Sequence, residues 1–409
     1  MSDNTLAVIG GGAAGFFAAV NAARLFPDLR VILFERSREV LSKVRISGGG
    51  RCNVTHHCFD PERLSMAYPR GGKELRWAFE QFQARDTVRW FNDRGVDLKT
   101  EQDGRMFPVT DDSATIINCL KEEARRRGVE IRTKARVDAI IPIEKDRYTI
   151  NLRGGQPINA DAAVIATGGS NRSQMYDWIR DLGHTIVDPV PSLFTFNFRR
   201  KIFEDLAGIS LEKVSVAIEG TSFQHKGSLL ITHWGLSGPA VLKTSAWAAR
   251  YLCDKEYRFT IRVNWVPPKN EEEVRGTLKE LRDYNARKLI TKQDRFALPN
   301  RLWKRFVELS DIDKQQRWAE LSNNQIHHLA QKLTGASYEI QGKTTYKEEF
   351  VTSGGVPLRE INMGTMESNI RPNLYFAGEV LNIDGITGGY NFQSAWTTAW
   401  IAARHLHVG

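Results

Sequence analysis

No apolar run among the 409 residues approaches the ~18 that a membrane-spanning helix needs, so no membrane segment is expected. The N-terminus lacks a basic segment followed by an apolar core and cleavage site, which argues against a secretory leader. Cysteine is scarce: Cys52, Cys58, Cys119 and Cys253 lie scattered, with no CxxC pair. That excludes a disulfide framework and suits reduced thiols in a cytoplasmic protein. The pairs His56–His57 and His327–His328 have no thiol or carboxylate at ligand spacing, so no metal site is expected. The Ser, His and Asp residues show no nucleophile-elbow pattern, which argues against a hydrolase.

What is present is ordinary for a globular chain, and its length predicts two or three folding units. The formal charge of +9 reads as spread along the chain, with clusters at Arg70–Lys73–Arg76, Arg125–Arg126–Arg127, Arg199–Arg200–Lys201 and Arg301–Lys304–Arg305. Two readings stand side by side: solvated helix faces with cofactor phosphate contacts, or a polyanionic partner.

The first 35 residues carry the strongest local signal. A short apolar run over 6–9 reads as a buried parallel strand, followed by GxGxxG at Gly10, Gly12 and Gly15, then an Ala-rich amphipathic helix. A second apolar strand, "RVILFE", ends at Glu35. In this pattern Gly10 permits the tight turn and Gly12 lets a pyrophosphate approach the backbone. Gly15 lets helix and strand pack closely, and Glu35 accepts from a ribose hydroxyl. The free amides at the helix start favour phosphate. An acid at the strand end favours a free 2′-hydroxyl, so FAD or NAD fits better than NADP.

No second GxGxxG follows. Two further strands, in "ADAAVIATGG" (160–169) and "RPNLYFAGEV" (371–380), bring more strand ends to the same crevice. Together the three segments resemble the glutathione-reductase-type FAD fold, whose chain returns to the flavin with a Gly-Asp step. Here the step is Gly378-Glu379, one carbon longer. FAD is the assignment this supports, with NAD alone as the alternative. The run 391–404 reads as a closing helix whose start at Gly389-Tyr390-Asn391 points its dipole at the flavin N1–C2=O edge.

"KVRISGGGRCNVT" (43–55) then falls directly after the second strand. Three glycines between cations suit a loop that lies against a flat anionic ligand without side-chain clash. Lys43 or Arg51 would balance phosphate charge. Cys52 is either a proton donor or a small residue packed beside the ring.

Four motifs, "KVRISGGGRCNVT", "LLITHWGLSGPAVL" (229–242), "FVTSGGV" (350–356) and "GEVLNIDGITGGYNFQSAW" (378–396), occur in this order. Together they closely resemble the bacterial BaiN/RdsA-type flavoproteins, the YhiN family, over essentially the whole chain. The resemblance implies an NAD(P)H-dependent FAD oxidoreductase with a domain inserted in its FAD domain. It implies Gly10, Gly12, Gly15, Glu35, Lys43, Arg51, Asn53, Gly378, Glu379, Gly389 and Asn391 in the cofactor site. The neighbours Ala13, Ala14, Arg36, Ser47, Gly48, Gly49, Gly50, Val137, Thr167, Gly168, Gly169, Asp384 and Tyr390 complete the expected site. Cys52, Asn53 and His233 are the candidates for catalysis.

The expected fold is therefore α/β: a Rossmann FAD-binding domain over 1–190 and 345–409, interrupted by an insert over 191–344. Period-two runs predict an antiparallel barrel over 191–267 and 333–344, and a charged stretch predicts a helical subdomain over 268–332. In "THWGLSGPAVL", Ser237 and Pro239 suit the first positions of a helix, and Gly235 and Gly238 a close approach to a ligand. His233 and Trp234 face a substrate cavity or shape the hinge. The family chemistries implied by the resemblance are uridine reduction in large-subunit ribosomal RNA, reduction of bile-acid intermediates, and oxidation of aminoacetone. The basic balance favours RNA, with Arg70, Lys73, Arg301, Lys304 and Arg305 as candidate backbone contacts and NAD(P)H as a transient reductant.

Overall fold

In the computed structural model, residues 4–292, 296–344 and 351–407 are described. The chain divides into two compact units, Met1–Ser192 with Tyr346–Gly409, and Leu193–Thr345.

The first unit is built on a seven-stranded sheet. Its parallel core runs Leu374–Phe376, Ala162–Ile165, Thr5–Ile9, Arg30–Phe34, Glu130–Arg132, with Glu367–Ser368 and Ile361–Asn362 added antiparallel at one edge. Thr5–Ile9 is buried along its whole length because both faces of a parallel sheet are covered, which is why it reads as an unbroken apolar run. The register sets Ile9 beside both Phe34 and Ile165, and Ile165 beside Phe376. All four carboxyl ends therefore stop at one level, and the loops leaving them converge there.

Helix Ala13–Leu25 and the C-terminal helix Tyr390–Arg404 pack against each other. Phe17 meets Trp396 and Trp90 with ring centroids 5.1 and 4.6 Å apart. Each fully buried aromatic contributes about 2–3 kcal/mol. A three-stranded meander (Val137–Ile143, Arg147–Leu152, Ile158–Ala160) and a small sheet of Thr55–His56, Arg105–Pro108 and Leu98–Thr100 complete this unit with its surface helices. Strand Val187–Ser192 pairs antiparallel with Val351–Gly355, so the outgoing and returning chains run side by side. The stretch "YKEEFVTSGG" (346–355) reads as strand-like, and its second half is the strand Val351–Gly355; 346–350 lies outside the described residues.

The second unit is a closed six-stranded barrel in the order Thr195–Phe198, Gly235–Ser237, Gln224–Ile231, Ser210–Ile218, Arg258–Asn264, Ala336–Thr344. Helices Glu271–Tyr284, Asn300–Glu308 and Asn323–Gly335 supply the helical part. The acidic run Glu271–Glu273 lies in a first turn, where Asn270 and Glu273 form a capping box; such a cap is worth about 1 kcal/mol.

Two sequence expectations change here. Ser237 closes a strand, and the next helix starts at Pro239 after Gly238. Gly235 faces backbone: a Cβ there would sit 1.9 Å from the Phe196 carbonyl oxygen of the neighbouring strand. The charge is also less evenly spread than the linear reading implies. Lys and Arg outnumber Asp and Glu by eight within 193–345 (25 against 17) and by one in the rest (32 against 31).

Candidate functional site

The turn after the first strand is dictated by close packing. Gly10 has φ +116°, and a Cβ there would lie 2.3 Å from the Ala166 carbonyl oxygen; one on Gly15 would lie 1.8 Å from that of Gly10. Gly12 is the opposite case, with nothing within 4 Å of the Cβ position. Helix Ala13–Leu25 starts from Gly12 with no side-chain cap and no acid in its first turn. Its first amides therefore face that open space as a ready anion site.

Glu35 directly follows the second strand. Its Oε2 accepts from the Gly11 amide (2.8 Å) and its Oε1 from the Ser37 amide and hydroxyl (2.8 Å each). Beside it a cleft is lined by Arg36, Val137, Gly168, Met175, Tyr176 and Trp178, among others. Gln174 to Trp178 were not foreseen; the aromatic cluster just after "ATGG" was the available signal. Thr167 is exposed and Gly168 has φ +72° at this rim.

Gly378 brings the third strand end to within 2.8 Å (as a Cβ) of the Ala14 side chain. The Glu379 carboxylate next to it accepts from Lys43 Nζ (2.7 Å) and from the Thr352 amide (2.8 Å). A Cβ on Gly169 would lie 2.4 Å from Thr352 Oγ1 and 2.5 Å from Glu379 Oε1, so this position must be bare. Thr352 is fully buried, and its hydroxyl has no hydrogen-bond partner among the described residues. Such orphans are rare and point to a missing ligand or water. Sequence reasoning missed Thr352, although "FVTSGGV" contained it.

The triple-glycine segment is a short 3-10 turn in which Gly48, Gly49 and Gly50 all have positive φ (59°, 69°, 87°). Gly48 packs toward the Phe107 ring, whereas Gly49 and Gly50 have nothing within 4 Å of their Cβ positions. Ser47 donates to the Val44 carbonyl (3.0 Å). With its amide oriented to match its surroundings, Asn53 donates to the Thr55 carbonyl and accepts from the Gly389 amide, both at 3.0 Å. Thr55 donates to Gln393 (2.6 Å) and Trp396 donates to the Val54 carbonyl (3.0 Å). The loop after the second strand is thus fastened to the start of the C-terminal helix. That start has Gly389 (φ +92°) as its boundary and no side-chain cap. Asn391 spans its own loop through the Gly385 amide and carbonyl (2.8 and 3.0 Å), and Tyr390 stacks on His56 at 4.6 Å.

Several expected roles change. The Arg51 guanidinium pairs with Glu101 (2.7 Å) and Asp111 (3.5 Å) and lies over the Phe107 ring, so its charge is committed to protein rather than to phosphate. Cys52 is fully buried at φ +62°, and burial pushes its thiol up to about 12; such a thiol is closed to substrate and a poor proton donor. Asn53 acts through hydrogen bonds to the helix start. Asp384 is fully buried, held by bidentate Arg70 and by the Ser192 hydroxyl (2.8 Å), so it anchors its loop from inside. Arg70 is accordingly spent inside the first unit. Arg301 donates to the Asp205 carbonyl, and Arg305 pairs with Asp205 (2.9 Å) and Glu308 (3.1 Å); Lys73 and Lys304 are exposed. His233 is exposed on a barrel turn of the second unit. No group of three or more metal-ligating side chains occurs among the described residues, and no helix there is long and apolar enough to cross a membrane.

Two uncapped helix starts, a carboxylate just after the second strand, a bare glycine loop and a buried hydroxyl with no partner among the described residues fit an extended FAD. This is the framework of a flavin-dependent oxidoreductase. The chain matches the HI0933-like protein Rossmann domain over residues 4–405 and belongs to that family. It is 30% identical over 410 residues to the 3-dehydro-bile acid Δ4,6-reductase of Clostridium scindens, covering 98% of both chains. It is 31% identical over 412 residues to the ribosomal RNA dihydrouridine synthase of Escherichia coli, covering 98% of this chain and 97% of the relative. Among solved structures it resembles the 3-ketosteroid-Δ4-(5α)-dehydrogenase of Rhodococcus jostii, with TM-score 0.51, 14% identity and coverage of 98% and 97%, a likeness of fold.

Proposed function

We propose that this oxidoreductase reduces uridine to dihydrouridine in large-subunit ribosomal RNA, with NAD(P)H as a transient reductant. The observation that carries the reading is the placement of charge: the inserted unit holds an excess of eight cations and the remainder an excess of one. A steroid- or bile-acid-sized substrate gives no reason for that asymmetry, whereas an RNA backbone does. Bound FAD supplies two-electron hydride transfer between a nicotinamide and a carbon–carbon double bond. The protein's part is to hold and to shield. The Gly12 turn and the helix start at Ala13 take the pyrophosphate, with Lys43 poised beside it on Glu379. Glu35 accepts from the ribose, and Thr352 offers its unpartnered hydroxyl to the same ligand. Gly49 and Gly50 leave bare backbone for the flat ring. The uncapped start at Gly389, braced by Asn53, presents positive dipole to charge that develops on reduction.

The Clostridium scindens relative favours a second reading, reduction of a small conjugated enone. One experiment separates the two. The FAD-loaded protein is incubated with NAD(P)H and unmodified ribosomal RNA, which is then digested and weighed. Uridine gaining two hydrogens is the expected result. Flavin that is bleached by NAD(P)H while the RNA gains no mass overturns the RNA reading.

A further inference from the structure

We infer that one end of the inserted barrel, carrying Trp234 beside Arg199, Arg200 and Lys201, is a docking surface for single-stranded RNA. The inference rests on the RNA reading above and names where that partner is held.

Trp234 is 61% exposed, an unusual position for the largest aromatic side chain. It sits in the connection between strands Gln224–Ile231 and Gly235–Ser237, and that connection is pinned at three points. The Thr232 amide donates to the Gly235 carbonyl (2.9 Å), the Thr232 hydroxyl accepts from the Gly235 amide (3.1 Å), and the Trp234 carbonyl accepts from the Phe198 amide (2.9 Å). The backbone that carries the exposed ring is therefore a fixed turn. Asn197 lies opposite Gly235 in the barrel register, so the chain leaving Phe198 places Arg199, Arg200 and Lys201 alongside His233 and Trp234. All three cations and His233 are exposed. Arg199 pairs with Glu339 (3.0 Å) and Lys201 with Glu204 (2.6 Å), both at the surface, where such pairs exchange readily for phosphate. Arg200 has no carboxylate partner among the described residues.

An exposed indole on a fixed turn beside a row of cations is the combination that takes an unpaired strand: bases stack on the ring whatever their identity, and phosphates meet the cations. A duplex keeps its base faces covered and cannot use the ring. The surrounding unit supplies the long-range attraction through its excess of eight positive charges.

The test uses full-length, FAD-loaded protein and a fluorescein-labelled mixed-sequence RNA, single-stranded or annealed to its complement, read by anisotropy across a salt series. Trp234→Ala is expected to weaken single-strand binding roughly tenfold with the salt slope kept, and Trp234→Phe to restore much of it. Arg200→Gln/Lys201→Gln is expected to weaken it and to flatten the slope of log K against log salt by about 1.4, two phosphates' worth. Unchanged melting temperatures establish that the variants fold. Wild-type affinity in both variants, equal preference for duplex, or Trp234-dependent binding of phosphatidylglycerol vesicles in place of RNA overturns the inference. The two readings fail separately. Trp234-dependent RNA binding without any gain of hydrogen on uridine keeps the docking surface and removes the reaction; hydrogenated uridine with full affinity in both variants does the reverse.

Discussion

Arg70→Met puts the buried carboxylate of Asp384 to the test. Asp384 has no exposed surface, and among the described residues Arg70 and the Ser192 hydroxyl offset its charge. Removing one partner of a buried pair costs about 3–5 kcal/mol. The stranded carboxyl can escape by taking a proton. Each pH unit above its ordinary ~3.9 makes that escape about 1.4 kcal/mol dearer, which caps the loss near ~4 kcal/mol at pH 7 and ~1.5 at pH 5. Burial already pushes the Asp384 carboxyl upward against the downward pull of Arg70. The folded state then holds this proton more tightly than the unfolded chain, and stability falls as pH rises through the raised value; loss of Arg70 steepens that fall. Urea unfolding of the FAD-loaded protein, followed by flavin fluorescence to report the unit that carries the pair, is the assay. Arg70→Met is expected to be markedly less damaging at pH 5 than at pH 7, with Arg70→Met/Asp384→Asn recovering most of the loss. An equal loss at both pH values, or none, refutes the reasoning.

Gly169→Ala pushes a methyl into Thr352 Oγ1 and Glu379 Oε1, at 2.4 and 2.5 Å. Overpacking of this kind costs about 1–3 kcal/mol, so FAD affinity by fluorescence titration should fall ~5- to 150-fold, and an unchanged Kd would count against the placement of Glu379 at the cofactor. Cys52, buried and with its thiol pushed up to about 12, should resist alkylation at pH 8 in the native protein and react on unfolding. Cys52→Ala should keep hydride transfer from NAD(P)H to flavin and turnover within about threefold, and a collapse of turnover with intact FAD binding would restore the thiol as proton donor.

Much of the first unit's core was legible in the linear chain because its signals are local. The apolar run 6–9, the approach of Gly15 to Gly10, and Glu35 just after the next strand lie within one strand–helix–strand unit, although the bareness of Gly10 is also demanded by Ala166 on a distant strand. The alternating strands of the insert were legible for the same reason, since a half-buried strand repeats every two residues. Helices Gly72–Gln81, Ala84–Asn92 and Ser113–Arg126 were not read: they follow no glycine motif, and the Gln83–Asp86 capping box and the Asp112 cap that open the last two are polar residues of a kind common in loops as well.

What the sequence alone determined is the dinucleotide turn, the bare glycine loop and the kinds of element on either side, all consequences of short-range geometry. The tertiary structure decided the employment of each side chain. Arg51 and Arg70 are cations in either view, but their carboxylate partners lie 50 and 314 positions away, at Glu101 and Asp384. The acidity of Cys52 depends on burial by the whole unit, and the partner of Asn53 is the amide of Gly389. Even the net charge acquires its meaning only once the chain is divided, because the first unit is assembled from both ends of the sequence and nearly all of the excess falls between them. Side-chain type is a property of position in the chain; desolvation and pairing are properties of what folding brings alongside.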